Sequence, residues 1–259
     1  MNHLPPEITA LNQWVCVWNN SKTPMQATVR KGASSVDPTT WSDYETASNA
    51  VAAGIYDQVG FVFNNNGIVG IDIDCGFDED GFLSEVSRDV VTRCQSYTEK
   101  SRSGRGIHVL TRGTLPFPGK NNRAGVEIYQ SRRFFILTGD ILICDKITEN
   151  QAAIDYILDR YFPESRDERT GQPTNAVVYQ PLHTKPEGGS ISLTPTYPPI
   201  PSGMRNLSLT SLAGQRHNQG YSKREIYREL LHANSVACTP PLSVSEIETI
   251  VNSVTRYRR

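Results

Sequence analysis

A chain of 259 residues and 28.8 kDa, with 37% hydrophobic and 20% charged residues, has room for one medium domain with a small companion and reads as a soluble globular protein. Its formal charge of −1 excludes the strongly basic balance that marks many nucleic-acid binders, so any such contact must come from local patches. No apolar run approaches the roughly eighteen residues of a membrane span, and MNHLPPEITALNQW lacks a basic stretch followed by an apolar one, so the expectation is a cytoplasmic protein.

Residues 1–162 alternate short apolar runs with turn-forming residues, the pattern of a mixed α/β domain. The expected strands, in chain order, are Trp14–Trp18, Val59–Phe63, Ile68–Ile73, Ile107–Thr111, Gly125–Tyr129 and Arg133–Thr138. Helices are expected over Asp43–Ala53, Leu83–Gln95 and Glu149–Tyr161. Half of the sixteen prolines fall between 163 and 201 among Gly, Ser and Thr, which reads as an extended linker. Residues 202–259 read as an all-α module. Leu207, Leu209, Leu212 and Ala213 suggest its first helix, and the capping boxes Ser222–Glu225 and Ser243–Glu246 open two more.

Five scattered cysteines without a CxxC pair argue against a disulfide framework or a zinc knuckle. Local basic patches include Lys100, Arg102 and Arg105, then Lys120, Arg123, Arg132 and Arg133, and finally Arg256, Arg258 and Arg259. The segment Gly76–Ser87 lacks the first and last ligands of a calcium loop, which leaves Asp78, Glu79 and Asp80 as an exposed acidic turn.

The chemistry concentrates in IVGIDIDCG. A strand carries side chains to alternate faces, so Asp72 and Asp74 share one face, roughly 6 to 7 Å apart. Two like charges there repel by roughly 1–4 kcal/mol and are costly to desolvate, and a divalent cation relieves both penalties. All-oxygen ligands suit Mg²⁺ or Mn²⁺. Downstream, SRSGRGIH is a small, glycine-rich, basic loop ending in His108, suited to phosphate but without the spacing of a Walker A loop. In GVEIY, Glu127 can complete a three-carboxylate set, with Arg132 and Arg133 close behind for a triphosphate or a template.

The order of DxD, SGxGxH and a strand acid, with QWVCVW, DPTTW, GFVF and EIYQSRRFFILTGD around them, resembles the phage and plasmid primase-polymerase domains of the archaeo-eukaryotic primase superfamily over roughly residues 5–140. The stretch from GMRNLSLTSLAGQRHNQGYSKREIY to PPLSVSEIETIVNSV resembles the primase C-terminal helical module.

The resemblance implies an α+β catalytic domain over 1–162, a linker over 163–201 and a small all-α domain over 202–259. It further implies Asp72, Asp74 and Glu127 as catalytic metal ligands, and Ser103, Gly104, Gly106, His108 and Arg133 as contacts to the nucleotide. The cofactor would be Mg²⁺ or Mn²⁺, and the substrates a single-stranded DNA template with NTPs or dNTPs. The helicase that often follows such domains would be encoded separately or missing from this chain. A metal-dependent nuclease and a catalytically idle DNA-binding module are the alternative readings.

Overall fold

The computed structural model of the protein describes residues 4–122, 125–163 and 197–256. Its strands are β1 Trp14–Val17, β2 Gln58–Asn64, β3 Ile68–Ile73, β4 Thr98–Lys100, β5 Ile107–Arg112, β6 Gly119–Asn121, β7 Val126–Tyr129, β8 Ser131–Ile136 and β9 Ile141–Ile143. They form two antiparallel sheets. The smaller is ordered β1-β2-β8 and the larger β6-β7-β3-β5-β4-β9. Seven α-helices accompany them among the described residues.

Alternation along β3, β5 and β7 decides what lies on each side of the larger sheet. Val69, Ile71, Ile73, Ile107, Val109, Val126 and Ile128 enter one apolar cluster. Helices α3 (Glu85–Cys94) and α4 (Gln151–Tyr161) cover it with Val86, Val90, Val91, Ile154 and Ile157. On the opposite side, Ile68 and Leu110 join Trp14, Phe61, Phe63 and Phe135 of the smaller sheet in a second cluster. Gly70 is the point of closest approach, because a Cβ there would lie 2.2 Å from Phe63 Cζ and 2.7 Å from Phe135 Cε2. Only a glycine lets the aromatic rings of the two neighbouring strands seat against β3.

All six expected strands form. The last runs from Ser131 to Ile136 instead of reaching Thr138, because the N–H groups of Thr138 and Gly139 turn away to the carboxylate of Glu99. The expected helix ends shorten for similar local reasons. Leu83 bridges Phe77 and Ser84 caps α3, while Asn150 caps α4. Helix α2 (Tyr44–Ala52) starts after its cap Asp43, and α1 (Pro6–Thr9) is a single turn that the sequence pattern does not signal. All five cysteines are free thiols, as their spacing suggests.

Three helices follow near the C-terminus: α5 (Arg205–Asn218), α6 (Lys223–Ala237) and α7 (Val244–Thr255). Both expected capping boxes are made in full, with each serine receiving its N3 backbone N–H and each glutamate returning to the serine N–H. Leu209 and Ala213 of α5 are buried, whereas Leu207 is 63% exposed.

These helices extend the apolar cluster behind the larger sheet. Polar contacts add to it: Arg228 meets both oxygens of Asp140 at 2.5 Å, Arg88 pairs with Glu248 at 2.9 Å, and Phe82 stands edge-on to Tyr227 at 4.6 Å. Most of the expected linker lies outside the described residues. Its last five, 197–201, pack on the helices, with Tyr197 donating to Glu229 and Ile200 bridging Cys238. Among the described residues, no helix is long and apolar enough to cross a membrane.

Candidate active site

The register of the larger sheet lines up one residue from each strand. Across the sheet run Asn121, Glu127, Asp72, His108, Glu99 and Ile141, each directly opposite the next. Directly opposed residues share a face and hold their Cβ atoms within about 5.5 Å of one another. Two carboxylates, a histidine and a third, buried carboxylate therefore sit shoulder to shoulder on the four central strands of this row. Asp74 lies just past the end of β3, on the same side as Asp72, and is exposed where Asp72 is half-buried.

Asp72 takes the electrostatic load. Burial pushes its carboxyl above the usual range, His108 opposes the shift, and the neighbouring charges of Asp74 and Glu127 add to it. Arg133 of β8 donates to Glu127 at 2.7 Å and lies over the ring of Tyr129 at 4.9 Å. Among the described residues, no three His, Cys, Asp or Glu side chains converge closely enough to enclose one ion. The donor set nevertheless has the right chemistry for a hard cation: oxygens only, mutually repelling, with Asp72 and Glu127 half-buried.

The loop between β4 and β5 is folded on itself and onto β3. Ser101 N–H donates to Gly106 O, Gly104 N–H to Ser101 O, Arg105 N–H to Ser103 Oγ, and Gly106 N–H to Ser101 Oγ. Gly104 holds φ at +73°, which an L side chain resists. A Cβ on Gly106 would lie 2.6 Å from the Ile73 carbonyl and 3.2 Å from that of Asp74, and Gly76 N–H donates to Arg105 O at 2.8 Å. Gly106 therefore seats the loop beside the two aspartates. The N–H groups of residues 104–106 are spent inside the loop, so the expectation of a backbone phosphate cradle narrows to its side chains. Arg105 and Ser103 are exposed, whereas Arg102 ties the loop to the Ser21 carbonyl. Arg123 of the next basic patch, and Arg258 and Arg259, lie outside the described residues.

His108 is buried against three neighbours. Its Nδ1 is 2.9 Å from Glu99 Oε1, its Nε2 is 3.8 Å from Asp72 Oδ1, and its ring stacks on Phe135 at 4.9 Å and 22°. Burial alone would lower its pKa; the bond to Glu99 and the charges of Asp72, Glu99 and Asp74 outweigh that and raise it. Glu99 is the residue that motif reading misses. It lies in a three-residue strand, TEK, too short to show a period. The signal that could have found it is arithmetic: a hairpin closed by Ser101–Gly106 pairs Lys100 with Ile107, and hence Glu99 with His108.

Residues 193–258 match the family described as Primase C terminal 1 (PriCT-1). Over 149 aligned residues the chain is 34% identical to a DNA primase-polymerase of Nitratiruptor phage NrS-1. The two matches support a primase-polymerase plus primase C-terminal architecture. The alignment to the phage protein covers 52% of this chain and 21% of that one, so the chain spans about a fifth of its relative's length. The PriCT-1 match takes in Tyr197–Pro201 as well as α5–α7, the same residues that pack together here.

Proposed function

We propose that this chain is a template-dependent nucleotidyltransferase, a DNA primase or polymerase that joins NTPs or dNTPs along single-stranded DNA. The observation that carries this reading is the row Glu127–Asp72–His108 beside Asp74 and the 101–106 loop, in a chain similar to a phage primase-polymerase. A nuclease would also need the carboxylates, and the basic, glycine-bearing loop delivering a histidine to the same row is what favours a nucleotide-binding enzyme over it.

Asp72, Asp74 and Glu127 would hold Mg²⁺ or Mn²⁺, which when bound lowers the pKa of an attacking hydroxyl and steadies the leaving pyrophosphate. The chain's own residues position the reactants. Arg133 donates to Glu127 at 2.7 Å, which holds its guanidinium beside that carboxylate, where it can also bind a phosphate oxygen. His108 presents Nε2 on the Asp72 side of the row, 3.8 Å from Oδ1, where it can donate to a phosphate oxygen bound over the two residues. Arg105 and Ser103 are exposed on the loop that Gly106 seats beside Ile73 and Asp74, available to a phosphate there. Positioning of this kind supplies much of the rate in phosphoryl transfer.

The test is incorporation of labelled nucleotides on primed and unprimed single-stranded DNA with Mg²⁺ or Mn²⁺, beside the Asp72→Ala/Asp74→Ala double variant. Product from the natural sequence alone supports the reading, and the unprimed lane reports priming. Metal-dependent loss of the template without product would replace it with a nuclease.

A further inference from the structure

Glu99 is fully buried, yet it is an acid in a three-residue strand between polar neighbours. Its Oε1 faces His108 Nδ1 at 2.9 Å. Its Oε2 accepts from the Tyr97 hydroxyl at 2.7 Å, from Thr138 N–H at 3.0 Å and from Gly139 N–H at 2.8 Å. Among the described residues, His108 is its ion-pairing partner. A buried carboxylate is costly to desolvate, and an apolar side chain would pack the same position more cheaply. What the acid adds is direction: a carboxylate can only accept, so the ring nitrogen facing it must be Nδ1–H, and Nε2 is turned toward Asp72. Phe135, stacked on the imidazole, closes the remaining freedom of the ring.

We infer that Glu99 is a positioning residue for His108, fixing the ring's orientation and its Nδ1–H so that Nε2 is presented to the substrate phosphate beside Asp72. The carboxylate is itself over-determined. Tyr97 is buried in the core, and the turn carrying Thr138 and Gly139 is pinned by the Thr138 hydroxyl on Lys100 O at 2.6 Å and by Arg228 of α6 on Asp140. A glutamine cannot replace it quietly. Its amide nitrogen would meet either three donors at the Oε2 position or the Nδ1–H of His108 at the Oε1 position.

Part of the test is independent of activity. Long-range ¹H–¹⁵N correlation of the imidazole rings, with His108 identified by its loss in His108→Gln, should show a proton on Nδ1 in the natural sequence. In Glu99→Gln that Nδ1 proton should be lost or shared. The activity arm rests on the function proposed above. Glu99→Gln should raise the nucleotide KM about tenfold with kcat changed less, and should add nothing further in a His108→Ala background. Tyr97→Phe, which removes one donor to Glu99, should raise KM about two- to threefold.

A His108 Nδ1 that carries no proton in the natural sequence overturns the inference. So does an unchanged Nδ1–H in Glu99→Gln, or KM effects of Glu99→Gln and His108→Ala that multiply. If Glu99→Gln fails to fold by circular dichroism, the ring of the natural protein and Tyr97→Phe decide between the same outcomes. If the natural protein incorporates no nucleotide, the proposed function fails while the NMR arm still judges the role of Glu99.

Discussion

The two faces of the larger sheet are built from alternate residues of the same strands, and they obey opposite rules. On one, Ile71 and Ile73 of β3, with Val109 and Ile128 beside them, are fully or almost fully buried under helices. On the other, one residue along, Asp72 stands between His108 and Glu127, and the smaller sheet packs over Ile68, Gly70 and Leu110 and meets His108 through Phe135. A single strand thus anchors the fold with one set of side chains and exposes charge with the other. The anchored face is what allows the charged face to be held without collapsing or repelling itself apart.

Substitutions can set the two faces against each other. The largest expected effect is on the charged one: Asp72→Ala combined with Asp74→Ala should reduce nucleotide incorporation to background while circular dichroism and thermal unfolding stay near those of the natural sequence. Ile71→Ala should do the reverse, costing about 2–5 kcal/mol of stability in denaturant titration while the folded fraction keeps its activity.

Gly70→Ala tests the boundary between the faces. The added methyl would collide with Phe63 and Phe135, so it should cost about 1–3 kcal/mol and also weaken nucleotide binding through the Phe135–His108 stack. His108→Ala should chiefly raise the nucleotide KM, by about tenfold, in steady-state incorporation assays; an unchanged KM would remove it from the phosphate site.

The smallest effect concerns the capping boxes. Hydrogen bonds from the Ser222 and Ser243 side chains and backbone N–H groups hold Glu225 and Glu246 below the usual glutamate range. Carboxyls whose pKa is lowered on folding stabilise the native state fully above the unfolded value of about 4.3, and that contribution fades as pH falls through the folded value. Thermal unfolding followed below pH 4.5 should show a shallow loss of stability that Ser222→Ala and Ser243→Ala diminish.

Much of this was legible in the sequence where a period had length to declare itself. IVGIDI, IHVLT and GVEIY announced the central strands, and the two S-x-x-E signatures announced helix starts that the structure reproduces with both reciprocal bonds. The strands β4, β6 and β9 have three residues each and carry no pattern, so they are recognisable only from the partners they pair with. Arg133 was expected as a phosphate contact from its place just after Glu127 and from the resemblance; its present partner is Glu127 itself, met where the chain passes from β7 of the larger sheet into β8 of the smaller. Glu99 was hidden by the shortness of its strand. The 101–106 loop was recognised as glycine-rich, but the need for Gly106 comes from the carbonyls of Ile73 and Asp74 pressed against it, which is a tertiary fact.

One apolar cluster runs from the back of the larger sheet into α5–α7 without interruption, and Arg228–Asp140 and Arg88–Glu248 straddle the join. The covalent link between residues 163 and 197 is therefore not what holds the two parts side by side. Separately produced pieces ending before and beginning after that stretch should reassociate on mixing, making it a natural place to divide the protein for complementation.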